Sequence, residues 1–230
     1  MAKGIQRIRQ VVKEVSGLQR LSIVLDKSET GKRLYRAFTK PHPRLLLVKN
    51  KSLGVGIIAL DEFATAGDYL KSVNGKNSAA YFTRKAARAG YTFLSINPNE
   101  MHEAIMKVNT SAGSRQGRAM DESYTKKMLQ YPVDAHNLYF AVMKNGELAA
   151  YLWVVRSGEL AVLNRLLGHA AHLEHGIMYM LVTGFVEQEL VNRTGTRFIM
   201  YDTFFGASEG LRLFKTRCGF KPYRVKWEQG

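Results

Sequence analysis

The segment that decides the fold runs from Arg197 to Trp227 and reads RFIMYDTFFGASEGLRLFKTRCGFKPYRVKW. Its apolar first part, Arg197–Asp202, is typical of a strand. Apolar side chains then recur at helical spacing over residues 207–217, and a terminal strand is predicted at Tyr223–Trp227. A strand, a helix and a strand in this order indicate an α/β protein.

The segment before this unit supplies further strands. Asn145-Gly146 provides the positive φ that a tight hairpin turn needs. The complete order β-β-β-α-β-α-β predicts a mixed sheet in which two strands splay beside the N-terminus of a helix. The predicted elements are strands at 138–143, 148–155 and 160–167, a loop at 168–176 and a helix at 177–191.

The N-terminal half adds shorter elements, and Ser78 is placed to cap a helix that stops at Gly90. No linker or repeat divides the chain. We therefore expect a basic helical extension over residues 1–40 and a single domain over 41–230. The predicted elements are a basic amphipathic helix at 1–20, strands at 45–48 and 55–60, a helix at 79–89, a strand at 91–96 and a helix at 100–108.

Positive charge is concentrated at the start of the chain. The 230 residues contain 34 Lys and Arg against 19 Asp and Glu, a net charge of +15, and residues 1–50 hold 12 basic and three acidic side chains. Such a field attracts polyanions, which makes tRNA or DNA a candidate partner. The alternative is a solvated face that keeps the protein soluble.

The number of cysteines and the hydropathy pattern indicate the cellular compartment. A single cysteine, Cys218, excludes a disulfide framework and favours a reducing compartment. No apolar run approaches the roughly 18 residues of a membrane span, and the first residues do not show the apolar region typical of a signal peptide. We expect a soluble cytoplasmic protein without a membrane partner.

The C-terminal segment resembles a known family. Tyr201-Asp202, then Phe214-Lys215 followed by Gly219-Phe220, is similar to the closing segment of GNAT-fold acyltransferases. The helix with Arg84-Lys85 and Arg88 resembles the basic helix of Fem-type aminoacyltransferases, a branch that uses aminoacyl-tRNA. The resemblance covers roughly residues 79–227. It implies a mixed α/β sheet and transfer of an acyl group to an amine.

One departure from the family concerns the acyl donor. CoA-dependent members carry a glycine-rich loop whose N–H groups hold the pyrophosphate. Here Gly168–Gly176 reads GHAAHLEHG, with one glycine at the helix start and Glu174, which would repel phosphate. Fem-type and leucyl/phenylalanyl-transfer enzymes also lack this loop. We therefore expect aminoacyl-tRNA or another nucleic-acid-linked donor, with acyl-CoA as the alternative co-substrate and no further cofactor.

The resemblance also assigns residues to the donor. In GNAT-like sites a splayed strand polarises the acyl carbonyl with its backbone N–H, and here that strand includes Asn164, Arg165 and Leu166. Asn164 and Arg165 interrupt an apolar strand, and the alternative is that both face outward on a half-exposed strand. Gly176 at the helix start and Lys215 after Phe214 complete the expected donor site, although a solvated helix lysine would look the same.

Three residues are candidates for the chemistry itself. His169 lies nearest the strand end and is a candidate base, whereas the spacing of His169, His172 and His175 matches no zinc pattern, so no metal is expected. Tyr201 is a candidate proton donor and Asp202 a candidate proton acceptor at the end of the next strand. In the alternative interpretation His169 only packs in the loop, Tyr201 is a core residue and Asp202 caps the following helix.

Arg115, Gln116 and Arg118 form the expected acceptor site. Two guanidinium groups around a flexible Gln-Gly suit a carboxylate or phosphate, and the alternative is a plain surface loop. The sequence thus predicts an acyl- or aminoacyltransferase acting on a small-molecule or peptide amine. A nucleic-acid-binding module on a degenerate transferase fold is the rival from another class.

Overall fold

The computed structural model of the protein describes residues 17–42, 45–115, 118–119, 122–126, 128–205 and 207–230. The strands are β1 (Arg20–Leu25), β2 (Pro41–His42), β3 (Leu45–Lys49), β4 (Val55–Ala59), β5 (Thr92–Ser95), β6 (Ser114–Arg115), β7 (Arg118–Ala119), β8 (Asn137–Lys144), β9 (Glu147–Ser157), β10 (Leu160–Gly168), β11 (Phe198–Thr203) and β12 (Lys221–Gln229). The helices are α1 (Glu29–Thr39), α2 (Ala66–Ser72), α3 (Ala79–Arg88), α4 (His102–Thr110), α5 (Glu122–Thr125), α6 (Ile177–Asn192) and α7 (Glu209–Arg217).

Eight of these strands form one mixed sheet in the order β1-β12-β4-β11-β10-β9-β8-β5. Two neighbouring pairs, β1 with β12 and β10 with β11, are parallel, and the others are antiparallel. The predicted hairpin is present, with Asn145 and Gly146 both at positive φ. The prediction of an α/β fold with a mixed sheet is confirmed.

Helices cover both faces of the sheet. On one face α6 packs against α2, α3 and the central strands, and because it is enclosed it is apolar nearly all round. Its buried carboxylate, Glu189, pairs with Arg156. The other face holds two clusters, one under α1 and one that includes α4 and β8–β10. No helix in the described parts of the chain is both long and apolar enough to cross a bilayer.

The parallel strands β10 and β11 separate after a short stretch of pairing. Their register runs from Leu160–Phe198 to Val162–Met200 and then ends, although both strands continue. Asn164 is the extra residue of a bulge in β10, and Asp202, at φ 48°, lies within an irregularity of β11. A bulge bends a strand and stops its pairing. The expected splay is therefore present.

The N-terminal region differs from the expectation where it is described. The helix predicted over residues 1–20 falls mostly on residues 1–16, outside the described residues. Within the expected extension, Arg20–Leu25 is a strand of the main sheet and Glu29–Thr39 is a helix packed on it. Buried side chains alternate in β1, and Ile23 and Leu25 pack in the same cluster as side chains of β12. This shared burial favours the pairing of the two strands. The domain boundary at residue 40 stays a prediction.

Candidate functional site

An apolar cavity of about 470 Å³ lies where β10 and β11 separate. Strands β10 and β11 form one wall of the cavity. The start of α6 and the first turns of α7 form the opposite wall. Residues just beyond the end of α4 close a third side. Its lining includes Leu166, Leu167, Met178, Tyr201, Leu211 and Phe214. The cavity thus has the place and the apolar character of a ligand site.

The peptide group of Leu166 faces the open side of β10. The His169 N–H donates to the Ala149 carbonyl at 2.7 Å, which makes this pair a hydrogen-bonded one in the β9–β10 ladder. Hydrogen-bonded pairs alternate along antiparallel strands, so Leu167 and Arg165 also bond β9. Leu166 therefore turns its N–H and C=O toward the splay, where pairing with β11 has ended.

Tyr201 lines the cavity from β11. Its ring packs against Phe214 and Phe220, with centroids 6.4 and 5.9 Å away. Burial, with smaller contributions from Asp202 and Tyr124, raises the pKa of Tyr201 well above its usual value. The side chain is thus a neutral phenol over the physiological pH range, with a proton available for donation.

Asp202 is exposed and forms an ion pair with Lys51. It follows Tyr201 directly, and its positive φ belongs to the irregularity that ends the pairing of β11. A capping role was one alternative for this residue, but the side chain that caps α7 is Ser208, which accepts from the Leu211 N–H. Asp202 thus lies beside the splay with its carboxylate held by a lysine.

Lys215 is fully buried, contrary to the alternative of a solvated helix lysine. Its Nζ donates to the Thr203 carbonyl at 2.7 Å and lies 4.9 Å from the centre of the Tyr201 ring. Burial lowers the pKa of Lys215 to about 8. The ammonium is therefore bonded to the backbone of β11 beneath Tyr201. A direct contact with a donor phosphate, as expected from the resemblance, would require the fully buried ammonium to become accessible.

The histidine segment is a 3-10 helix, Ala170–His175, in which side chains three residues apart eclipse. His169 caps this helix, because its Nδ1 accepts from the Ala171 N–H at 3.3 Å. His172 accepts or donates at 2.7 Å with the Tyr91 hydroxyl, and burial lowers its pKa. Among the described residues no three His, Cys, Asp or Glu side chains form a group that could hold a metal ion.

Gly176 begins α6 at φ 84°, and its N–H donates to the Leu173 carbonyl. A Cβ at this position would lie 2.6 Å from the Phe82 carbonyl oxygen. The glycine is thus required by the backbone conformation and by the close approach of α3. Its expected contact with the donor stays a prediction.

We expect Gly176→Ala to lower the free energy of unfolding by about 2–5 kcal/mol, the sum of left-handed strain and a steric clash. Gly90→Ala is the matched control, since Gly90 has φ 83° and open space within 4 Å of the point where a Cβ would lie. It should cost only about 1–2 kcal/mol. Urea unfolding of both variants measures the difference, and equal losses would contradict the close approach to Phe82.

Asn164 and Arg165 are separated by the bulge. Asn164 is exposed, as the outward-facing alternative predicted. Arg165 is half-buried on the face of the sheet opposite α6, with its guanidinium 4.3 Å from the centre of the Tyr124 ring and 6.0 Å from that of Trp153. Leu166, next along the strand, lines the cavity on the α6 side. The expected donor group is therefore divided between two faces.

The expected acceptor residues Arg115, Gln116 and Arg118 lie largely outside what the structure describes. Gln116 is outside the described residues, as are the side chains of both arginines. Ala112 and Ser114, just before them, line the cavity. The acceptor role stays a prediction for all three residues.

Two cavity residues, Met178 and Leu211, were not singled out in the sequence, and Phe214 was named only as part of the family motif. Met178, Leu211 and Phe214 are apolar positions of helices, and periodicity alone predicts only that they are buried. The signal that could have identified them is position, because Met178 is at the start of α6 and Leu211 is in the first turn of α7, both beside strand ends.

Cys218 is fully buried, and burial raises the pKa of its thiol, so it is not an exposed nucleophile.

No protein-family model matches the sequence, and no curated protein matches it significantly. Solved structures do match. The C-terminal domain of a putative lysylphosphatidylglycerol synthetase from Agrobacterium fabrum is 17% identical with a TM-score of 0.52, and the match covers 73% of this chain and 57% of that one. FemX is 10% identical with a TM-score of 0.56, covering 74% and 59%.

A tandem GNAT protein from the clavulanic acid biosynthesis pathway is 17% identical with a TM-score of 0.46, covering 74% of this chain and 50% of that one. This chain therefore spans less than two thirds of the length of these structures. Identities this low concern architecture. The protein shares its fold, a mixed α/β sheet, with FemX and the synthetase domain, and the expected GNAT-like and Fem-type resemblance is confirmed for the fold alone.

Proposed function

We propose that this protein transfers an acyl or aminoacyl group to an amine. The observation that carries the proposal is the splay of β10 and β11 around an apolar cavity, with the Leu166 peptide group on one side and the Tyr201 ring on the other. Acyl transfer needs a group that stabilises the developing oxyanion and a group that protonates the leaving atom. The two sides of the splay offer one of each.

The reaction follows from these positions. The amine nitrogen attacks the acyl carbon, and the Leu166 N–H donates to the carbonyl oxygen as negative charge develops there. The bond from carbon to the ester oxygen or thioester sulfur breaks, and that atom takes the proton of Tyr201. The amine loses one proton, so the products are an amide and a free hydroxyl or thiol. No covalent enzyme intermediate is involved.

Asp202 is the better candidate to accept the amine proton. His169 Nδ1 already accepts from the Ala171 N–H, and a neutral imidazole then carries its proton on the other nitrogen. It therefore has no free lone pair in this arrangement. The Asp202 carboxylate is exposed beside Tyr201 and retains oxygen lone pairs besides those facing Lys51.

We propose a nucleic-acid-linked donor, such as aminoacyl-tRNA, rather than acyl-CoA. A pyrophosphate cradle needs several free N–H groups at a helix start. Here four N–H groups of the segment before α6 already have partners: those of Ala170 with Ser111 Oγ, Ala171 with His169 Nδ1, His172 with the His169 carbonyl and Gly176 with the Leu173 carbonyl. Glu174, which is exposed in the same segment, would repel a phosphate.

A run of aromatic rings supports the same donor. It leads from exposed Tyr81 through Phe82 and Tyr179 to Phe214 at the cavity, with successive centroids 5.2, 4.7 and 4.9 Å apart. Arg217 lies over the Phe82 ring at 5.7 Å. Unpaired nucleotides bind to surfaces of this kind, where bases stack on rings and cations meet the backbone.

The test is product formation from each donor. The protein is incubated with an aminoacyl-tRNA mixture or with acetyl-CoA, together with a pool of small-molecule and peptide amines, and amides are sought by mass spectrometry. We expect amides from the tRNA mixture, with donor binding that weakens at least tenfold between about 50 and 200 mM salt. Amides from acetyl-CoA alone would overturn the donor assignment. Tight, salt-sensitive RNA binding without product from either donor would favour the binding module.

A further inference from the structure

We propose that Arg165 is the centre of a carboxylate-binding site, on the face of the sheet opposite α6, and that this site holds the carboxylate of the acyl acceptor. The second part rests on the proposed function. The site consists of the Arg165 guanidinium, the hydroxyl groups of Tyr131 and Tyr139, and the rings of Tyr124 and Trp153.

Among the described residues, the side chains that lie against the Arg165 guanidinium are aromatic. Its guanidinium lies over Tyr124 and near Trp153, and its positive charge opposes the rise in the pKa of the Tyr151 hydroxyl. None of the ion pairs found within the described residues includes Arg165. A half-buried guanidinium with donors to spare is the group that binds a carboxylate through two parallel hydrogen bonds.

Tyr139 provides an independent observation. The residue is 2% exposed, and within the described part of the chain its buried hydroxyl has no hydrogen-bond partner. Its ring stacks on Trp153 with centroids 5.5 Å apart and meets Tyr131 edge-on at 5.9 Å. Buried hydroxyls are normally bonded, because leaving one unpaired is costly. A ligand oxygen at this site would provide the missing partner.

Three tyrosine hydroxyls lie within electrostatic range of Arg165. Burial raises the pKa of Tyr131 and Tyr139, and it raises the pKa of Tyr151 to about 12, while the charge of Arg165 opposes the rise at all three. The hydroxyls therefore keep their protons. The Tyr151 hydroxyl already donates to Asn109 Oδ1 at 2.7 Å, so the hydroxyl donors that a carboxylate on Arg165 would meet are those of Tyr131 and Tyr139.

The carboxylate belongs to the acceptor because of the chemistry of the donor. In an aminoacyl ester or a thioester the carboxyl carbon is the reacting acyl carbon, so the donor offers no free carboxylate there. Arg165 and Leu166 are consecutive in β10, and they place this site and the cavity on opposite faces of one strand. The acceptor is then an amine whose carboxylate lies several bonds from the amino group, such as a peptide, because the two sites lie on opposite faces of β10.

Tryptophan emission can report binding at this site directly. The chain has two tryptophans, and Trp227 lies in the other cluster of this face, against Phe38. In a Trp227→Phe background Trp153 is the sole indole. We expect L-phenylalanine to change its emission saturably, whereas L-phenylalaninamide and inorganic phosphate leave it unchanged. Binding of the amide or of phosphate as tight as that of L-phenylalanine would overturn the proposal.

Variants in the same background test the named residues. We expect Arg165→Met to weaken L-phenylalanine binding by about ten- to a hundredfold, as for loss of hydrogen bonds to a charged group. Lys107→Met, which removes an exposed charge from α4, should leave it unchanged. Equal effects of the two substitutions would overturn the proposal.

Tyr139→Phe tests the effect of the site on L-phenylalanine binding separately from its effect on protein stability. It also provides a test of the site if Arg165→Met does not fold. Because the hydroxyl is unpartnered, its loss should leave the melting temperature unchanged or raised while weakening L-phenylalanine binding severalfold. Unchanged binding would overturn the site. Transfer to amidated acceptors as fast as to free acids would overturn the acceptor assignment and leave the transferase intact. Binding of L-phenylalanine through Arg165 without transfer from either donor would support the site and contradict the transferase.

Discussion

Tyr201→Phe is expected to slow acyl transfer by about two to four orders of magnitude, the usual contribution of a positioned general acid. The phenylalanine ring preserves the packing on Phe214 and Phe220, so the fold and the cavity should be retained. Only the hydroxyl that protonates the leaving atom is lost. Single-turnover rates with the active donor, measured from pH 6 to 9, provide the comparison.

Tyr223→Phe is the matched control for this substitution. It removes a hydroxyl from a buried tyrosine of the same sheet that donates to Glu62 and packs in the cluster under α1, on the face opposite α6. Its transfer rate should equal that of the unchanged protein. If Tyr201→Phe transfers the acyl group at a rate within about threefold of that rate, the Tyr201 hydroxyl does not act as the general acid.

The stability of the folded protein is expected to rise between pH 8 and 10 because of Lys215. Burial lowers the pKa of this lysine from 10.5 to about 8, so in this window the unfolded chain holds a proton that the folded protein has released. The free energy of unfolding rises with pH wherever the unfolded state binds more protons. The contribution is at most about 3 kcal/mol for a shift of this size.

Lys215→Met should abolish this rise, because the side chain no longer titrates. Lys221→Met is the control, since Lys221 is exposed and pairs with Glu62, and the rise should persist there. Urea unfolding at a series of pH values gives both curves. If the pH dependence is identical in the unchanged protein and in Lys215→Met, the pKa of Lys215 does not differ between the folded and unfolded states, which contradicts the prediction.

The second half of the fold could be predicted from local patterns. Strands β8–β12 and helices α6 and α7 appear in the sequence as alternating or helical apolar runs separated by turn residues such as Asn145-Gly146. The polar residues Asn164 and Arg165 inside an apolar run marked the place where β10 is irregular. Because the splay lies between predicted strand ends, Leu166 and Tyr201 were both within reach of sequence reasoning.

The faces of the side chains could not be predicted. A bulge of one residue at Asn164 reverses the alternation of β10, so Arg165 and the residues after it exchange faces relative to the first half of the strand. Lys215 looks like an ordinary helix lysine in sequence, and its burial depends on the Thr203 carbonyl, 12 residues away. Strand β1 was missed because its pairing with β12 joins opposite ends of the chain.

The most direct test is to map where the acyl group binds. Two donors carrying a photoreactive acyl group, p-benzoylphenylalanyl-tRNA and 4-benzoylbenzoyl-CoA, are irradiated with the protein, and the cross-linked residues are identified by mass spectrometry. We expect cross-links to Met178, Leu211 or Phe214, the apolar wall facing Leu166 and Tyr201, from one of the two donors. Cross-links confined to exposed basic residues such as Arg33 and Arg36, with both donors, would contradict the assignment of the splay as the site of transfer.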